Sequence, residues 1–197
     1  MSNARPTKHS PAATPAVFFD RDGTLIEDRG HLRSPDEVVF YPATVAALRR
    51  LQPHFRLFIV TNQPGVSIGE VTMADVQRVN DHVVARLREA GIEIAAVYCC
   101  PHQRSEDCAC IKPKPFFMEQ AAHEHGVDLA RSFTVGDHPH DVHLARNAGA
   151  TGIFVLTGHG NKHLDELTAD DIVAEDILEA ADIIISRSTT PDHATTT

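Results

Sequence analysis

The sequence predicts an α/β domain built on a mainly parallel sheet. Short apolar runs alternate along the chain with longer amphipathic segments, as in repeated β-α units. The runs are nearly continuous in apolar residues, as strands covered on both faces are. Each of several runs closes on a polar residue, at the place where ligands bind in open parallel sheets.

The first strand candidate, AVFFD at 16–20, ends on Asp20, and a helix candidate follows at 43–51. FRLFIVT at 55–61 ends on Thr61. The helix candidate at 72–90 repeats Val76, Val79, Val83 and Leu87 at helical spacing, a stripe suited to a core. IAAVYCC at 94–100 ends on Cys100, and SFTVGD at 132–137 ends on Asp137, with a helix candidate at 115–125 between them. Beyond a helix at 141–148 lie a strand at 151–157, a helix at about 164–178 and a last strand, ADIIIS, at 181–186. One domain is expected over 16–186, without internal repeats. The segments 1–15 and 187–197, rich in Ser, Thr, Pro and Ala without periodicity, read as mobile tails.

At 197 residues the chain buries a core without covalent help. Its 18 Lys+Arg against 27 Asp+Glu give a formal charge of −9, which disfavours nucleic acid and anionic lipid and favours a small-molecule partner. No apolar run has the length of a signal-peptide core or a membrane span, so a cytoplasmic protein is expected. A single compact domain is expected to be a monomer.

The chemistry gathers at the strand ends. In FFDRDGTL, Asp20 and Asp22 emerge two residues apart. Paired carboxylates suit Mg²⁺, and a carboxylate is also a known nucleophile toward phosphorus; an ordinary Asp-Gly turn is the alternative. In VTNQPG, Thr61 offers a hydroxyl, Asn62 an amide and Gly65 close backbone approach, together suited to a phosphoryl group. In IKPKP, Lys112 supplies positive charge, while Lys114 reads as a solvated surface lysine. In FTVGDHPHD, Asp137 is placed to be a third metal carboxylate, and Asp141 reads as a first-turn acid facing the helix dipole. His138, His140 and His143 read as decoration of an exposed helix start.

All four cysteines fall in CCPHQRSEDCACIKPKP, residues 99–115. Cys100, His102, Cys108 and Cys110 form C-x-H-x5-C-x-C, two close ligand pairs joined by a short loop, which fits a structural tetrahedral Zn²⁺. A Cys108–Cys110 redox pair is the alternative and leaves His102 without a role. Cys99, one residue off the pattern, reads as a small core residue.

In this order the motifs resemble the haloacid dehalogenase (HAD) superfamily of phosphohydrolases over residues 17–158. The resemblance implies a Rossmann-like three-layer α/β/α sandwich and an Mg²⁺-dependent phosphatase. Asp20 would be the nucleophile, Asp22 the general acid/base, Thr61 and Lys112 phosphate ligands, and Asp137 a metal ligand together with Asp20 and the main-chain carbonyl of Asp22. Residues 25–61 and 69–112 are too short to hold a large cap domain. The cysteine loop, with DRDGT, TNQPG and KPKP, is similar to the subgroup of heptose-bisphosphate and histidinol-phosphate phosphatases. That implies a small phosphorylated sugar or amino alcohol as substrate. The arginines that the heptose enzymes usually carry are replaced here by Ile68 and Ile111, which removes two bidentate phosphate contacts. Another sugar phosphate or a nucleotide stays open as substrate, as does an inactive, zinc-stabilised binding or scaffold protein.

Overall fold

A computed structural model describes residues 13–189. The expectation of mobile tails concerns mainly residues 1–12 and 190–197, which lie outside the described part. Thr14 is already tied in: its N–H donates to the carbonyl of Gly126, and its own carbonyl accepts from the N–H of Asp128, both at 3.0 Å.

Six parallel strands form one sheet in the order β3-β2-β1-β4-β5-β6. They are β1 (Ala16–Phe19), β2 (Arg56–Asn62), β3 (Ala96–Cys100), β4 (Phe133–Gly136), β5 (Thr151–Val155) and β6 (Ile172–Ala174). The helices are α1 (Thr44–Leu51), α2 (Met73–Glu89), α3 (Phe116–His125), α4 (Pro139–Ala148), the single turn α5 (Gly160–His163) and α6 (Ile177–Thr189). Alternation along β1 divides the interior into two cores. Val17 and Phe19 join the side chains of α1, α2 and α6. Ala16 and Phe18 join Met118 and Ala121 of α3 and Leu144 of α4. The sheet is therefore covered on both faces, as its continuous apolar runs require.

Helix α2 follows its sequence signals closely. Thr72 and Asp75 close a reciprocal capping box at its start, and Val76, Val79, Val83 and Leu87 are buried. Between the first strand and α1 lie a short 3-10 turn, Pro35–Glu37, and isolated bridges at Asp22, Ile26 and Phe40, and the span 69–112 is taken up by α2, β3 and the turn Arg104–Glu106, so no large cap domain is present among the described residues.

The C-terminal part differs from expectation. Residues 181–186 are helical, inside α6, and the sixth strand is the three-residue β6, within the span expected to be helix. Ile177, Ala180, Ala181 and Ile184 are buried at intervals of three and four, a helical stripe hidden in an isoleucine run that reads as β. Asp176 starts the helix by accepting from the N–H groups of Leu178 at 2.8 Å and Glu179 at 3.0 Å. The same helix runs to Thr189, beyond the expected boundary at residue 186.

Candidate active site

The carboxyl ends of β1, β2 and β4 open on a cavity of about 470 Å³ whose wall includes Asp20, Asp22, Asn62, Lys112, Asp137 and Asp141. Two glycines let its carboxylates close in. Gly23, at φ +83°, lies so near Asp137 that a Cβ there would sit 2.1 Å from Oδ2. A Cβ on Gly136 would meet Cγ of Asp141 at the same distance. Gly65 plays a different part from the one expected: the space beside it is filled by the His31 ring rather than left for a ligand.

Lys112 is at the centre. Its Nζ lies 2.9 Å from Oδ1 of Asp20 and 2.7 Å from Oδ1 of Asp141, and the residue is 4% exposed. Burial alone would discharge the ammonium, yet Asp141 and Asp20 hold its pKa above the ordinary lysine value. Asp20 Oδ1 also accepts from the Arg21 N–H at 2.7 Å, which leaves Oδ2 without a hydrogen bond among the described residues. Carboxylate oxygens of Asp20, Asp137 and Asp141 all lie within 4.8 Å of one another. Burial, then the charge of Asp20, pushes Asp137 up to about 8; burial pushes Asp141 up to about 6 against the pull of Lys112. Three close carboxylates with one ammonium are short of positive charge, and an all-oxygen donor set of this kind fits a hard divalent cation.

Asp22 stands apart from that cluster. Its carboxylate takes both Nε and Nη2 of Arg21, the latter at 2.8 Å, and Nε2 of Gln63 at 2.7 Å. Arg21 is 1% exposed and anchored on its other side by Oδ1 of Asn80 from α2, at 2.6 Å. Burial raises the Asp22 pKa and Arg21 opposes it. The Thr61 hydroxyl is buried and accepts from Gln63 at 2.8 Å. Oδ1 of Asn62 accepts from the Lys112 N–H at 3.1 Å, so this amide positions the lysine segment while it lines the cavity.

Beside the site, Cys100, His102, Cys108 and Cys110 converge as their spacing predicts. Five ligand-to-ligand distances run from 3.3 to 3.7 Å. Zinc bonds of about 2.3 Å to sulfur, at tetrahedral angles, require sulfur separations of about 3.7 Å, so the donor set fits the ion. The Cys108–Cys110 separation of 3.7 Å is far from a disulfide's roughly 2.05 Å, and all four cysteines are free. Cys99 lies in β3, its thiol pushed up to about 11 by burial. Lys114 departs from expectation: its Nζ donates to Oδ1 of Asp107 at 2.6 Å and to the Cys108 carbonyl at 2.8 Å, bracing the cysteine loop.

The histidines also depart from expectation. His143 is exposed, but His138 and His140 are half-buried in the cavity wall with ring centroids 4.2 Å apart, and His163 packs 4.3 Å from His138. Burial lowers His138 to about 4 and His140 to about 3.

The chain is similar to known proteins. A family model described as HAD-hydrolase-like matches residues 109–180. The "probable D-glycero-D-manno-heptose-1,7-bisphosphate 7-phosphatase" of Thermoplasma acidophilum is 39% identical over 135 residues, 68% of this chain and 84% of the relative. The Bordetella bronchiseptica D-glycero-beta-D-manno-heptose-1,7-bisphosphate 7-phosphatase is 32% identical over 87% of this chain and 98% of its own length. The chain belongs to the HAD-like phosphatases. A crystal structure of the B. bronchiseptica D,D-heptose 1,7-bisphosphate phosphatase, complexed with magnesium and phosphate, superposes with a TM-score of 0.81 at 31% identity, covering 88% of this chain and 99% of that one.

In this HAD-like phosphatase the sequence-predicted Asp20, Asp22, Asn62, Lys112 and Asp137 line one cavity, whereas Thr61 is buried at 1% exposure and is not part of its wall. Sequence reasoning did not single out Gln63 or Arg21, and it gave Asp141 a helix-start role only. Asp141 does cap its helix, with Oδ2 accepting from the His138 N–H at 3.3 Å, and that role masked the Lys112 contact. Gln63 and Arg21 stood inside the quoted motifs, but nothing local showed that they were buried.

Two predictions follow from these contacts. Asn80→Ala leaves a buried guanidinium N–H unpaired and should cost about 2 kcal/mol in chemical denaturation. Asp137 has a raised pKa in the folded state, so its stability contribution is complete below the unfolded value and is lost as pH rises toward about 8. Asp137→Asn should therefore melt above the wild type at pH 8 with chelator present, and the two curves should converge near about pH 4. A gap that is independent of pH would contradict the assigned cause.

Proposed function

We propose that the protein is an Mg²⁺-dependent phosphomonoesterase acting through a phosphoaspartate on Asp20. The substrate proposed is a small phosphorylated sugar, with D-glycero-D-manno-heptose 1,7-bisphosphate, cleaved at the 7-phosphate, as the leading candidate. The observation that carries this reading is the buried Lys112 bridging Asp20 and Asp141, with Asp137 close by. The names of the relatives support the substrate.

Asp20, Asp137 and Asp141, with the main-chain carbonyl of Asp22, would hold the cation. Bound Mg²⁺ supplies positive charge that screens the anionic nucleophile from the anionic ester. Lys112 orients the Asp20 carboxylate through Oδ1 and adds charge toward phosphate, and Oδ2 is the oxygen free to attack phosphorus. As the new P–O bond forms, the ester P–O bond breaks and its electron pair leaves with the sugar oxygen, which takes a proton from Asp22. Water then attacks phosphorus and gives a proton back to Asp22. The phosphoaspartate P–O bond breaks, and Asp20 and inorganic phosphate are released. The raised Asp22 pKa suits a proton donor, and Arg21 and Gln63 fix where that proton is held. Asn62 fixes Lys112 through its main chain, and Thr61 holds the Gln63 amide that donates to Asp22.

We further infer that the cysteine cluster holds a structural Zn²⁺, all four ligands being protein groups. Cytoplasmic location and a monomeric state belong to the same reading; no helix among the described residues is long and apolar enough to cross a membrane.

Phosphate release with Mg²⁺ over heptose bisphosphate, histidinol phosphate, hexose phosphates and nucleoside monophosphates tests the activity. Asp20→Asn should lower turnover by at least about 1,000-fold with the fold intact. Activity surviving that change would exclude the mechanism, and silence of folded, metal-loaded wild type would point to a binding or scaffold protein. Cys108→Ser should lose zinc, measured by elemental analysis, and lower Tm by about 10 °C or more. An unchanged melt without zinc in either protein would remove the structural-metal reading.

A further inference from the structure

The cavity wall contains one cation that the proposed mechanism does not use. Arg104 reaches it from the cysteine loop, at the start of the 3-10 turn Arg104–Glu106. Lys112, the other cation in the wall, is committed to two carboxylates. Arg104 forms no ion pair among the described residues, although Asp20, Asp22, Asp28, Asp137 and Asp141 share the same cavity. Its one hydrogen-bonding side-chain contact runs from Nη2 to Nε2 of His140, whose ring is backed by His138.

The turn that presents Arg104 is held in place from several sides. The Gln103 N–H donates to Oε1 of Glu106 at 2.8 Å, Ser67 bonds the same carboxylate from the loop after β2, and Lys114 braces Asp107. Ile68 and Ile111, in contrast, contribute nothing to the cavity wall: Ile111 is packed away at 7% exposure, and Ile68 is 51% exposed elsewhere.

We propose that Arg104, oriented by His140, binds a second phosphate on the substrate, at the end away from the phosphoryl group attacked by Asp20. This rests on the phosphatase reading above and deepens it. A guanidinium offers paired N–H donors that match a phosphate bidentately, whereas an amine at that end of the substrate would be repelled. The substrate class selected is thus a sugar bisphosphate, and a phosphorylated amino alcohol is disfavoured.

The test compares kcat/KM for heptose 1,7-bisphosphate, heptose 7-phosphate and histidinol phosphate in wild type, Arg104→Ala and Arg104→Lys. The first two share the reacting phosphate and differ only in the distal one. Wild type should favour the bisphosphate, Arg104→Ala should reduce that preference about 10- to 100-fold through KM, and Arg104→Lys should keep part of it. A preference unchanged in Arg104→Ala, or a wild type that prefers histidinol phosphate or the monophosphate, overturns this assignment and leaves the phosphatase reading standing. Silence of the wild type on all three and on p-nitrophenyl phosphate overturns both.

Discussion

The buried ammonium of Lys112 is the constraint around which the site is built. An ammonium at 4% exposure is tolerable only when its charge is met, and Asp20, beyond β1, and Asp141, in the first turn of α4, meet it. Each partner needs its own accommodation. Asp141 reaches the lysine because Gly136 has no side chain to exclude it, and Asp20 is aimed by the Arg21 N–H. Asn62 fixes the lysine from behind through its main chain. The parallel sheet supplies the frame, placing the ends of β1, β2 and β4 side by side without contributing a strand of its own to the chemistry.

The pair leaves a charge imbalance, and that imbalance defines the cavity. One ammonium cannot neutralise Asp20, Asp137 and Asp141 together, so the two more deeply buried acids retain protons well above the usual carboxylate range. A divalent cation would displace those protons, and so metal affinity and pH are linked at this site. Asp22 is removed from the competition by its clamp to Arg21 and Gln63. Two carboxylates separated by one residue in sequence are thereby given different surroundings, as the proposed division into nucleophile and acid requires.

Much of this was legible where a strong local pattern ends abruptly. Asp20 closes the unbroken apolar run AVFF, Asp137 closes the buried run FTVG, and C-x-H-x5-C-x-C is too specific to arise from packing alone. What stayed hidden depends on partners distant in sequence. Asp141 and Lys112 are 29 residues apart, and a first-turn acid looks the same in sequence whether or not a lysine reaches it. Arg21 looks solvated between two aspartates until α2 delivers Asn80 from 59 residues away. The error in α6 has another origin: three consecutive isoleucines satisfy the β preference, but burial of Ile177, Ala180, Ala181 and Ile184 decides in favour of a helix.

The cysteine loop explains why a small HAD-like phosphatase without a large cap domain can still shape its site. Residues 101–111 contribute few apolar groups to either core and are held instead by polar contacts, those of Glu106 with Gln103 and Ser67 and those of Lys114 with Asp107 and Cys108. Four convergent ligands replace that missing core. Their effect reaches both ends of the segment, since Cys110 lies two residues before Lys112 and His102 two residues before Arg104. A metal cross-link between these positions, as proposed above, would fix Lys112 beside Asp20 and Arg104 in the outer wall relative to one another. Spacing between two charged points in a cavity is a property that a flexible loop cannot provide. A metal held there would therefore bear on which substrates fit, although none of its ligands touches the reacting phosphate in the mechanism proposed above.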